Sequence, residues 1–303
     1  MKIILIGLPY FRERLTKLLH SFDNQNKYIS INTATNFGKM KYLWNILNSN
    51  LVYSIGGSVE GSRAISCALR LGKKVVVHWV GTDVLNAVKT MENSKFKREN
   101  SYIGNVTHYC EVEWIQKELQ DIGIQSKIVP IAIYEGKNSS DIKFPRKFSI
   151  LSYVSNRNPE FYGIKTLIQL AVDFPDIEIR IVGIDALNEA IPSNMKLLGW
   201  VNNITEEYSN SIIFLRIVKH DGLAFSVIEA LSNGRYVGYT YPFVGCFCVY
   251  DYSDLIGWVE KLYSMHKTGV LHPNYKGIEI TNKCYKKERI LGNLVSEFSD
   301  TIS

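Results

Sequence analysis

The sequence predicts an α/β protein built from two doubly wound parallel-sheet domains in tandem, and three observations carry this prediction. Short apolar, β-rich runs alternate with amphipathic segments almost from end to end, as they do when parallel strands are buried on both faces by helical crossovers. The 303 residues are too many for one comfortable core and suit two domains of about 150 residues. A polar, turn-rich stretch at residues 134–145 interrupts the alternation and indicates a linker.

The elements of the first domain follow from runs of period-2 or continuous apolar character and from segments with helical periodicity. The predicted strands are Ile3–Ile6, Tyr28–Ile31, Leu51–Ile55, Lys74–Trp79, Val106–Cys110 and Ser126–Pro130. The predicted helices are Tyr10–Ser21, Phe37–Leu47, Gly61–Leu71 and Glu113–Ile122. We expect this domain to span residues 1–140.

The alternation restarts after the linker, and we expect a second domain over residues 146–281. Its predicted strands are Phe148–Val154, Glu178–Val182, Met195–Leu198, Ile212–Ile217 and Tyr236–Tyr239. Its predicted helices are Glu160–Asp173, Ile204–Asn210, Ala224–Asn233 (closed by Gly234) and Leu255–Lys267. A final helix, Asn282–Asp300, opens a C-terminal segment of residues 282–303 that we expect to pack back on the first domain.

Composition places the chain among ordinary soluble globular proteins, with 46% hydrophobic and 21% charged residues. The apolar start, Met1 to Gly7, is too short for a signal peptide and indicates a first buried strand. The five cysteines are few and odd in number, which favours free thiols in a reducing compartment. We therefore expect a cytoplasmic protein.

The positive charge is concentrated in the first half of the chain. Residues 1–145 hold 19 Lys/Arg and 12 Asp/Glu, whereas residues 146–303 hold 16 and 17. This asymmetry suggests either a merely soluble basic surface or a polyanionic partner, such as the inner face of an anionic membrane or a lipid phosphate. Nucleic acid is disfavoured, because interleaved aromatics and a recognition-helix pattern are missing. The basic residues that mark the segment include Arg12, Arg14, Lys17, Lys95, Lys97 and Arg98.

The most informative stretch is residues 216–237, which predicts a buried strand, a polar turn and a helix that begins near Ala224. Backbone N–H groups at a helix start, together with the helix dipole, favour an anion such as a diphosphate. Gly222 would let the backbone come close to a ligand. The carboxylates of Asp221 and Glu229 suit vicinal hydroxyls of a sugar or a ribose.

This stretch resembles the E-x7-E element of retaining GT-B glycosyltransferases of family 4, usually E-G-F-G-x-x-x-x-E-A. The resemblance implies two Rossmann-like domains facing a cleft. It implies that Asp221 holds hydroxyls of the transferred sugar and that Glu229 holds the donor ribose. The diphosphate would lie on the backbone of Leu223, Ala224 and Phe225 and on the Ser226 hydroxyl. The alternative is that Asp221 is an ordinary surface residue and Glu229 an ordinary residue on a helix face. This chain also departs from the family's motif, because Asp221 stands where the family has its first Glu.

Two segments of the first half fit the same family in the same order. The first is Gly7-Leu-Pro9, where the family has a glycine loop near donor phosphates and acceptor; it is not the G-x-G-x-x-G of a nicotinamide dehydrogenase. The second is the run from Val75 to Val84, in which the resemblance assigns a sugar contact to His78 and an acceptor hydroxyl to Asp83. The alternatives are a satisfied core His and an N-cap Asp. A further stretch, residues 111–133, locates the domain boundary and carries little chemistry.

In the second half, residues 153–167 resemble the family's G-R-L-x-x-x-K-G-x-x-x-L motif. Arg157 matches the Arg that contacts the donor diphosphate and stabilises leaving-group charge; an exposed loop Arg is the alternative. The family's Lys is missing, since Tyr162 precedes Gly163, so we expect Lys219 or Lys165 to assist. Trp200 lies where the family has a loop beside the nucleotide base, and a core or interface role is the alternative.

The resemblance thus implies a retaining, metal-independent, hexosyltransferase-like enzyme that uses a nucleoside-diphosphate sugar and needs no cofactor. Its catalytic residues would be Asp221, Arg157 and His78. The acceptor would be a sugar, a glycan or a lipid-linked hydroxyl bound by the first domain. Two alternatives stay open: a sugar-nucleotide epimerase of the same fold, which would need acid/base carboxylates, and a non-catalytic nucleotide-sugar or glycan-binding protein.

Overall fold

The structure is a computed structural model that describes residues 1–93, 102–134 and 142–303. The chain divides into two compact units. Unit 1 comprises residues 1–132, 221–223 and 288–303, and unit 2 comprises residues 133–220 and 224–287. The basic residues Lys95, Lys97 and Arg98, and residues 135–141 of the predicted linker, lie outside the described residues.

Unit 1 holds a parallel sheet that, in the part the structure describes, has six strands in the order β2-β1-β3-β4-β5-β6. Strand β3 is buried along its whole length, which explains the continuous apolar runs of the sequence. The strands are β1 Lys2–Gly7, β2 Lys27–Ser30, β3 Leu51–Ile55, β4 Lys74–Trp79, β5 Thr107–Cys110 and β6 Lys127–Ile128.

The helices of unit 1 cover this sheet, and two of them begin where the sequence places Pro or a capping side chain. Pro9 opens α1, as its fixed φ favours, and the Thr35 hydroxyl caps α2 by accepting from Gly38 N. Residues 288–302 of α11 also belong to this unit, where Phe298 packs edge-on against Tyr53. The helices are α1 Pro9–Phe22, α2 Asn36–Ile46, α3 Arg63–Arg70, α4 Thr82–Met91, α5 Glu113–Asp121 and α11 Lys287–Ile302.

Unit 2 repeats the design, with the described strands all parallel in the order β12-β11-β10-β7-β8-β9. These strands are β7 Ser149–Tyr153, β8 Glu178–Val182, β9 Met195–Gly199, β10 Ile213–Arg216, β11 Tyr236–Tyr239 and β12 Cys246–Cys248. The helices are α6 Ile164–Asp173, α7 Ile204–Ser209, α8 Phe225–Ser232, α9 Tyr252–Lys267 and α10 Tyr275–Cys284. The fold-class prediction of two doubly wound parallel sheets is confirmed.

Two predicted elements of the C-terminal half are wrong, and one strand there was not predicted. The helix predicted to start at Glu160 is a 3-10 turn that ends at Gly163 in the left-handed region, so α6 starts at Ile164. The final helix predicted from Asn282 begins instead at Lys287, and residues 282–284 end a separate helix, α10, that starts at Tyr275. The break between the two helices is at Tyr285, whose carbonyl accepts from Tyr134 N. Strand β12 was not predicted, since three residues are too few for a pattern.

Both sheets have a switch point, where the strand order reverses direction: between β1 and β3 in unit 1, and between β7 and β10 in unit 2. In open α/β sheets ligands bind outside the carboxyl ends of the strands at such points. Among the described residues, no helix is both long and apolar enough to cross a bilayer. All five cysteines are free.

Gly7 closes β1 at the unit 1 switch point, and Gly7→Ala is expected to destabilise the fold strongly. Its φ is +97°, and an added Cβ would lie 2.0 Å from the Ile55 carbonyl oxygen. Left-handed strain and a backbone clash together predict a loss of about 2–4 kcal/mol in the free energy of unfolding, measured by urea denaturation. Gly104→Ala is the control in the same unit, because an added Cβ there meets nothing within 4 Å. A Gly7→Ala loss no larger than that of the control would contradict this packing.

Candidate functional site

The loops that follow β7 and β10 lie side by side at the unit 2 switch point. Arg157 is exposed in the first loop and Lys219 is exposed in the second. Lys219 N donates to the Phe161 carbonyl at 3.0 Å, and Gly163 packs so closely on Ile217 that an added Cβ would lie 2.7 Å from its Cγ2. The structure therefore brings the two predicted cations to one edge of the sheet.

A third cation at this edge was missed by the sequence reasoning. Arg216 ends β10 and is only 9% exposed. Its guanidinium lies 5.5 Å from the Tyr153 ring centroid and 5.2 Å from that of Tyr162, which is a cation–π arrangement. The feature of the sequence that could have identified Arg216 was its position as a charged residue at the end of an otherwise apolar strand. Lys165 instead forms an exposed ion pair with Glu160 at 3.1 Å.

Helix α8 begins directly after the β10 loop, with Ala224 as its N-cap, a residue whose side chain makes no capping hydrogen bond. Ser226 lies in its first turn and Glu229 one turn further on, both half-buried. The buried Tyr208 hydroxyl lies within donating distance of Ser226 O (3.2 Å) and Glu229 Oε2 (3.4 Å). Tyr208 was not predicted, and it orients the Glu229 carboxylate from a different helix.

Trp200 follows β9 directly and is 82% exposed, which excludes the core role that the sequence left open. The strand ends around it are joined by hydrogen bonds. Gly183 N donates to Gly199 O at 2.7 Å, and the Asn156 side chain donates to Asp185 at 3.3 Å. The indole therefore stands free of the core at the same edge as the Arg157 loop.

In unit 1, the Asp83 carboxylate organises the turns after β3 and β4. It accepts backbone N–H bonds from Gly57 (2.7 Å), Val80 (3.1 Å), Gly81 (2.8 Å) and Val84 (3.1 Å). Burial raises its pKa despite these bonds, which act in the opposite direction. Asp83 is not the N-cap residue of α4, which is Gly81, but its carboxylate accepts backbone N–H bonds at the start of that helix, as the structural alternative expected.

His78 lies near the carboxyl end of β4 and is fully buried. Its Nδ1 is hydrogen-bonded to the Tyr53 hydroxyl at 2.5 Å, and its ring contacts that of Tyr109 edge-on. Burial lowers the pKa of His78 to about 3, so the imidazole is neutral near pH 7. Its Nε2 has no hydrogen-bond partner in the described part of the chain. The alternative of a core histidine with both nitrogens hydrogen-bonded is therefore met at Nδ1 but not at Nε2.

Glu111 follows β5 and is the most unusual group that sequence reasoning missed. It is 2% exposed, and neither carboxyl oxygen has a hydrogen-bond partner among the described residues. Burial first, and then the charges of Asp221 and Asp83, raise its pKa well above the usual value. The feature of the sequence that could have identified Glu111 was its position directly after a buried strand. Buried and unpartnered, it is a candidate for a ligand contact or a proton-holding role.

Residues 221–223 belong to unit 1 by their contacts. Trp114 Nε1 donates to the Asp221 carbonyl at 2.9 Å. An added Cβ on Gly222 would lie 2.1 Å from Val80 O, so Gly222 is needed for a close approach of two backbone segments. The sequence predicted instead that this glycine admits a ligand.

The predicted residues therefore fall into two groups. Unit 1 brings the Asp221 carboxylate, Asp83 and Glu111 within electrostatic reach of one another. Within the described ranges, these side chains are not arranged to hold a metal ion. Unit 2 holds Arg157, Lys219, Ser226, Glu229 and Trp200.

No protein-family model matches the sequence, and no curated protein matches it. Three solved structures illustrate what the fold is similar to. Sucrose-phosphate synthase from Thermosynechococcus elongatus aligns with a TM-score of 0.72 and 12% identity over 99% of this chain and 98% of that chain. A point mutant of S. aureus TarM, in complex with fondaparinux, alpha-GlcNAc-glycerol and UDP, aligns with a TM-score of 0.63 and 11% identity over 85% of this chain.

The third is UDP-GlcNAc 2-epimerase from Neisseria meningitidis bound to UDP-GlcNAc, with a TM-score of 0.55, 13% identity, and coverage of 99% of this chain and 100% of that chain. This chain spans only 57% of the TarM chain. At these identities the likenesses concern the fold. The chain has the two-domain, Rossmann-like GT-B fold.

Proposed function

We propose that this chain is a retaining glycosyltransferase that moves a sugar from a nucleoside-diphosphate sugar to an acceptor hydroxyl. The observation that carries the proposal is the unit 2 switch point. Arg157, Lys219 and Arg216 lie in or beside the loops after β7 and β10 there, and α8 follows with its Glu229 carboxylate near the Tyr208 hydroxyl. Cations and a helix start suit a diphosphate, and a fixed carboxylate suits vicinal hydroxyls. Two fold neighbours, one solved with UDP and one with UDP-GlcNAc, add support.

The donor would be bound mainly by unit 2. Glu229 holds the ribose hydroxyls, and the Ser226 hydroxyl with the backbone around Ala224 cradles the diphosphate. Arg157 and Lys219 neutralise charge on the leaving nucleotide as the glycosidic bond breaks. Arg216 adds a buried positive charge at the same edge. Trp200 offers an exposed ring for stacking against the base.

The transferred sugar and the acceptor would be bound by unit 1 residues, with Asp221 on sugar hydroxyls and neutral His78 as a hydrogen-bonding partner. In a retaining reaction of this kind, a phosphate oxygen of the leaving group takes the acceptor proton on the face from which the nucleotide departs. The diphosphate charge is then met by side-chain cations, and we propose that no metal is required. The acceptor would be a glycan or a lipid-linked hydroxyl.

A second candidate is a sugar-nucleotide epimerase, and one observation favours it. An epimerase needs carboxyl groups that give and take protons, and Glu111 is a buried carboxyl whose raised pKa suits such a task. Asp221 and Asp83 are the carboxylates that face it.

A ligand screen separates these functions. The purified chain is heated with UDP-, GDP-, ADP- and dTDP-sugars, and any sugar nucleotide that raises Tm is then incubated with the protein. Slow release of free nucleotide, accelerated by an acceptor, is the result expected for a glycosyltransferase. Conversion to an epimeric sugar nucleotide, followed by proton NMR, would assign the epimerase. Stabilisation with neither product would leave a binding protein, and no stabilisation would remove the donor site proposed for Glu229.

A further inference from the structure

Helix α2 has two apolar faces, and only one of them is covered. Gly38, Tyr42 and Ile46 are buried against unit 1. Five large apolar side chains of the same segment are between 57% and 83% exposed. They are Phe37, Met40, Leu43, Trp44 and Leu47.

The five exposed residues form one stripe. At about 100° per residue, they cluster on the side of the helix opposite Tyr42 and Ile46. Single exposed apolar residues are normal, but a contiguous group of this size marks an interaction surface. We call these five side chains the α2 stripe.

Hydrogen bonds hold helix α2, which carries the stripe, in place at its start and on its buried side. The Thr35 hydroxyl accepts from Gly38 N at 3.1 Å at the start of the helix. On the buried side, the Tyr42 hydroxyl donates to the Ala64 carbonyl at 2.7 Å. The helix therefore presents its stripe without having to fold first, which lowers the entropic cost of binding.

Positive charge flanks the stripe on both sides. Lys39 and Lys41 are exposed and, by the same helical geometry, border it left and right. The helix sequence, Asn36 to Ile46, contains no acidic residue. Residues 1–145 carry a net charge of +7. Apolar and aromatic side chains bordered by lysines are typical of helices that lie in the headgroup region of an anionic bilayer.

A groove of about 870 Å³ lies beside α2, and like the stripe it combines apolar side chains with basic ones. Leu43 and Leu47 form part of its wall, together with Leu71, Arg63 and Arg70. Glu60 also lines the groove, so its two arginines leave a net positive charge there. An apolar wall with this net positive charge suits an acyl chain with its phosphate headgroup. A second copy of this chain fits less well, because a symmetric contact would bring the same lysines together.

We propose that the α2 stripe seats unit 1 on an anionic lipid bilayer, with Phe37 and Trp44 inserted at the headgroup boundary and Lys39 and Lys41 on lipid phosphates. The α2 stripe belongs to unit 1, whereas the proposed donor residues belong to unit 2. It would bring a lipid-linked acceptor to the unit that we propose binds acceptors. The inference nevertheless stands if the donor proposal fails.

The test is co-sedimentation of the full chain with phosphatidylcholine vesicles that contain or lack phosphatidylglycerol. We expect binding that depends on phosphatidylglycerol and is weakened at least about tenfold by the double variant Phe37→Ser/Trp44→Ser. Lys39→Gln/Lys41→Gln should reduce the dependence on phosphatidylglycerol by about tenfold. Tyr250→Ser is the matched control, since Tyr250 is 79% exposed and lies in unit 2.

Two results would overturn the proposal. One is vesicle binding that is absent, that ignores phosphatidylglycerol or that survives the Phe37→Ser/Trp44→Ser change. The other is a dimer, seen by analytical ultracentrifugation, that dissociates in this variant, which would assign the stripe to a second copy. Sugar-nucleotide thermal shifts should be the same in wild type and variants, so failure of this proposal and failure of the donor site are distinguishable.

Discussion

Glu229→Gln is expected to lower kcat/KM for sugar transfer by about 100- to 1,000-fold. The proposed role is to accept two ribose hydroxyl hydrogen bonds on a charged carboxylate, and such bonds contribute about 1.5–3 kcal/mol each. The half-buried carboxylate is oriented by the Tyr208 hydroxyl, 3.4 Å from Oε2. Tyr208→Phe should therefore have a smaller effect of about tenfold, mostly on KM, because the ribose contact remains but is less well oriented.

The measurement is initial rates at limiting donor, together with calorimetric titration of the nucleotide. Glu260→Gln is the matched control, since Glu260 is an exposed carboxylate within α9 of the same unit. Nucleotide affinity unchanged in Glu229→Gln would remove the ribose contact from the proposal.

Arg157→Ala belongs to the same site but should act on a different constant. If Arg157 stabilises charge on the leaving diphosphate, its loss lowers kcat by about 100-fold or more with a smaller change in donor affinity. Arg146→Ala, an exposed arginine of the same unit, is the control. Equal rates in both variants would return Arg157 to the role of a surface loop residue.

The second large effect is on stability, and it comes from Glu111→Gln. In the folded state burial, with Asp221 and Asp83 facing it, raises the pKa of Glu111. A carboxyl of this kind contributes fully to stability below its unfolded pKa, about 4.3, and loses that contribution as pH rises toward the folded pKa. Over this window the free energy of unfolding falls by about 1.4 kcal/mol per pH unit.

Glutamine does not titrate, so the Glu111→Gln variant should gain Tm relative to wild type as pH rises from 4.5 to 7.5, by several degrees. Thermal melts at five pH values across this range provide the measurement. Glu113→Gln is the control, because Glu113 is exposed and lies only two residues away. A difference in Tm that is constant with pH would mean that Glu111 titrates as an ordinary carboxyl.

His78 should add pH dependence of the opposite sign in both proteins. Its folded pKa is lowered to about 3, so the stability it supports is complete above its unfolded pKa, about 6.5, and is lost as pH falls. Because this contribution is common to wild type and Glu111→Gln, it cancels in their difference. The comparison therefore isolates Glu111.

Much of the fold could be predicted from sequence because parallel strands and crossover helices carry strong local patterns. The apolar run at Leu51–Ile55 is a buried central strand, and the helix predicted after Gly222 is α8. Errors fell where the local signal is weak. Strand β12 has three residues, and the break at Tyr285 is stabilised by a backbone bond to Tyr134, which is distant in sequence.

In the candidate site too, local features could be predicted from the sequence and long-range contacts could not. Sequence alone placed Arg157, Lys219, Ser226 and Glu229 in loops and a helix start that the structure assigns to unit 2. Only the tertiary structure revealed that Tyr208 orients Glu229 and that Gly222 serves a close approach to Val80. These relations join positions that no local pattern connects.

The sequence by itself determined the two sheets, the order of their elements and the carboxylates and cations at the strand ends, because periodicity and residue type are local properties. The tertiary structure alone decided that Glu111 and His78 are buried with shifted pKa values, and that the Phe37–Leu47 side of α2 is left uncovered. Burial and electrostatic neighbours depend on which distant segments pack together. The sequence does not show whether another part of the protein covers a given apolar residue.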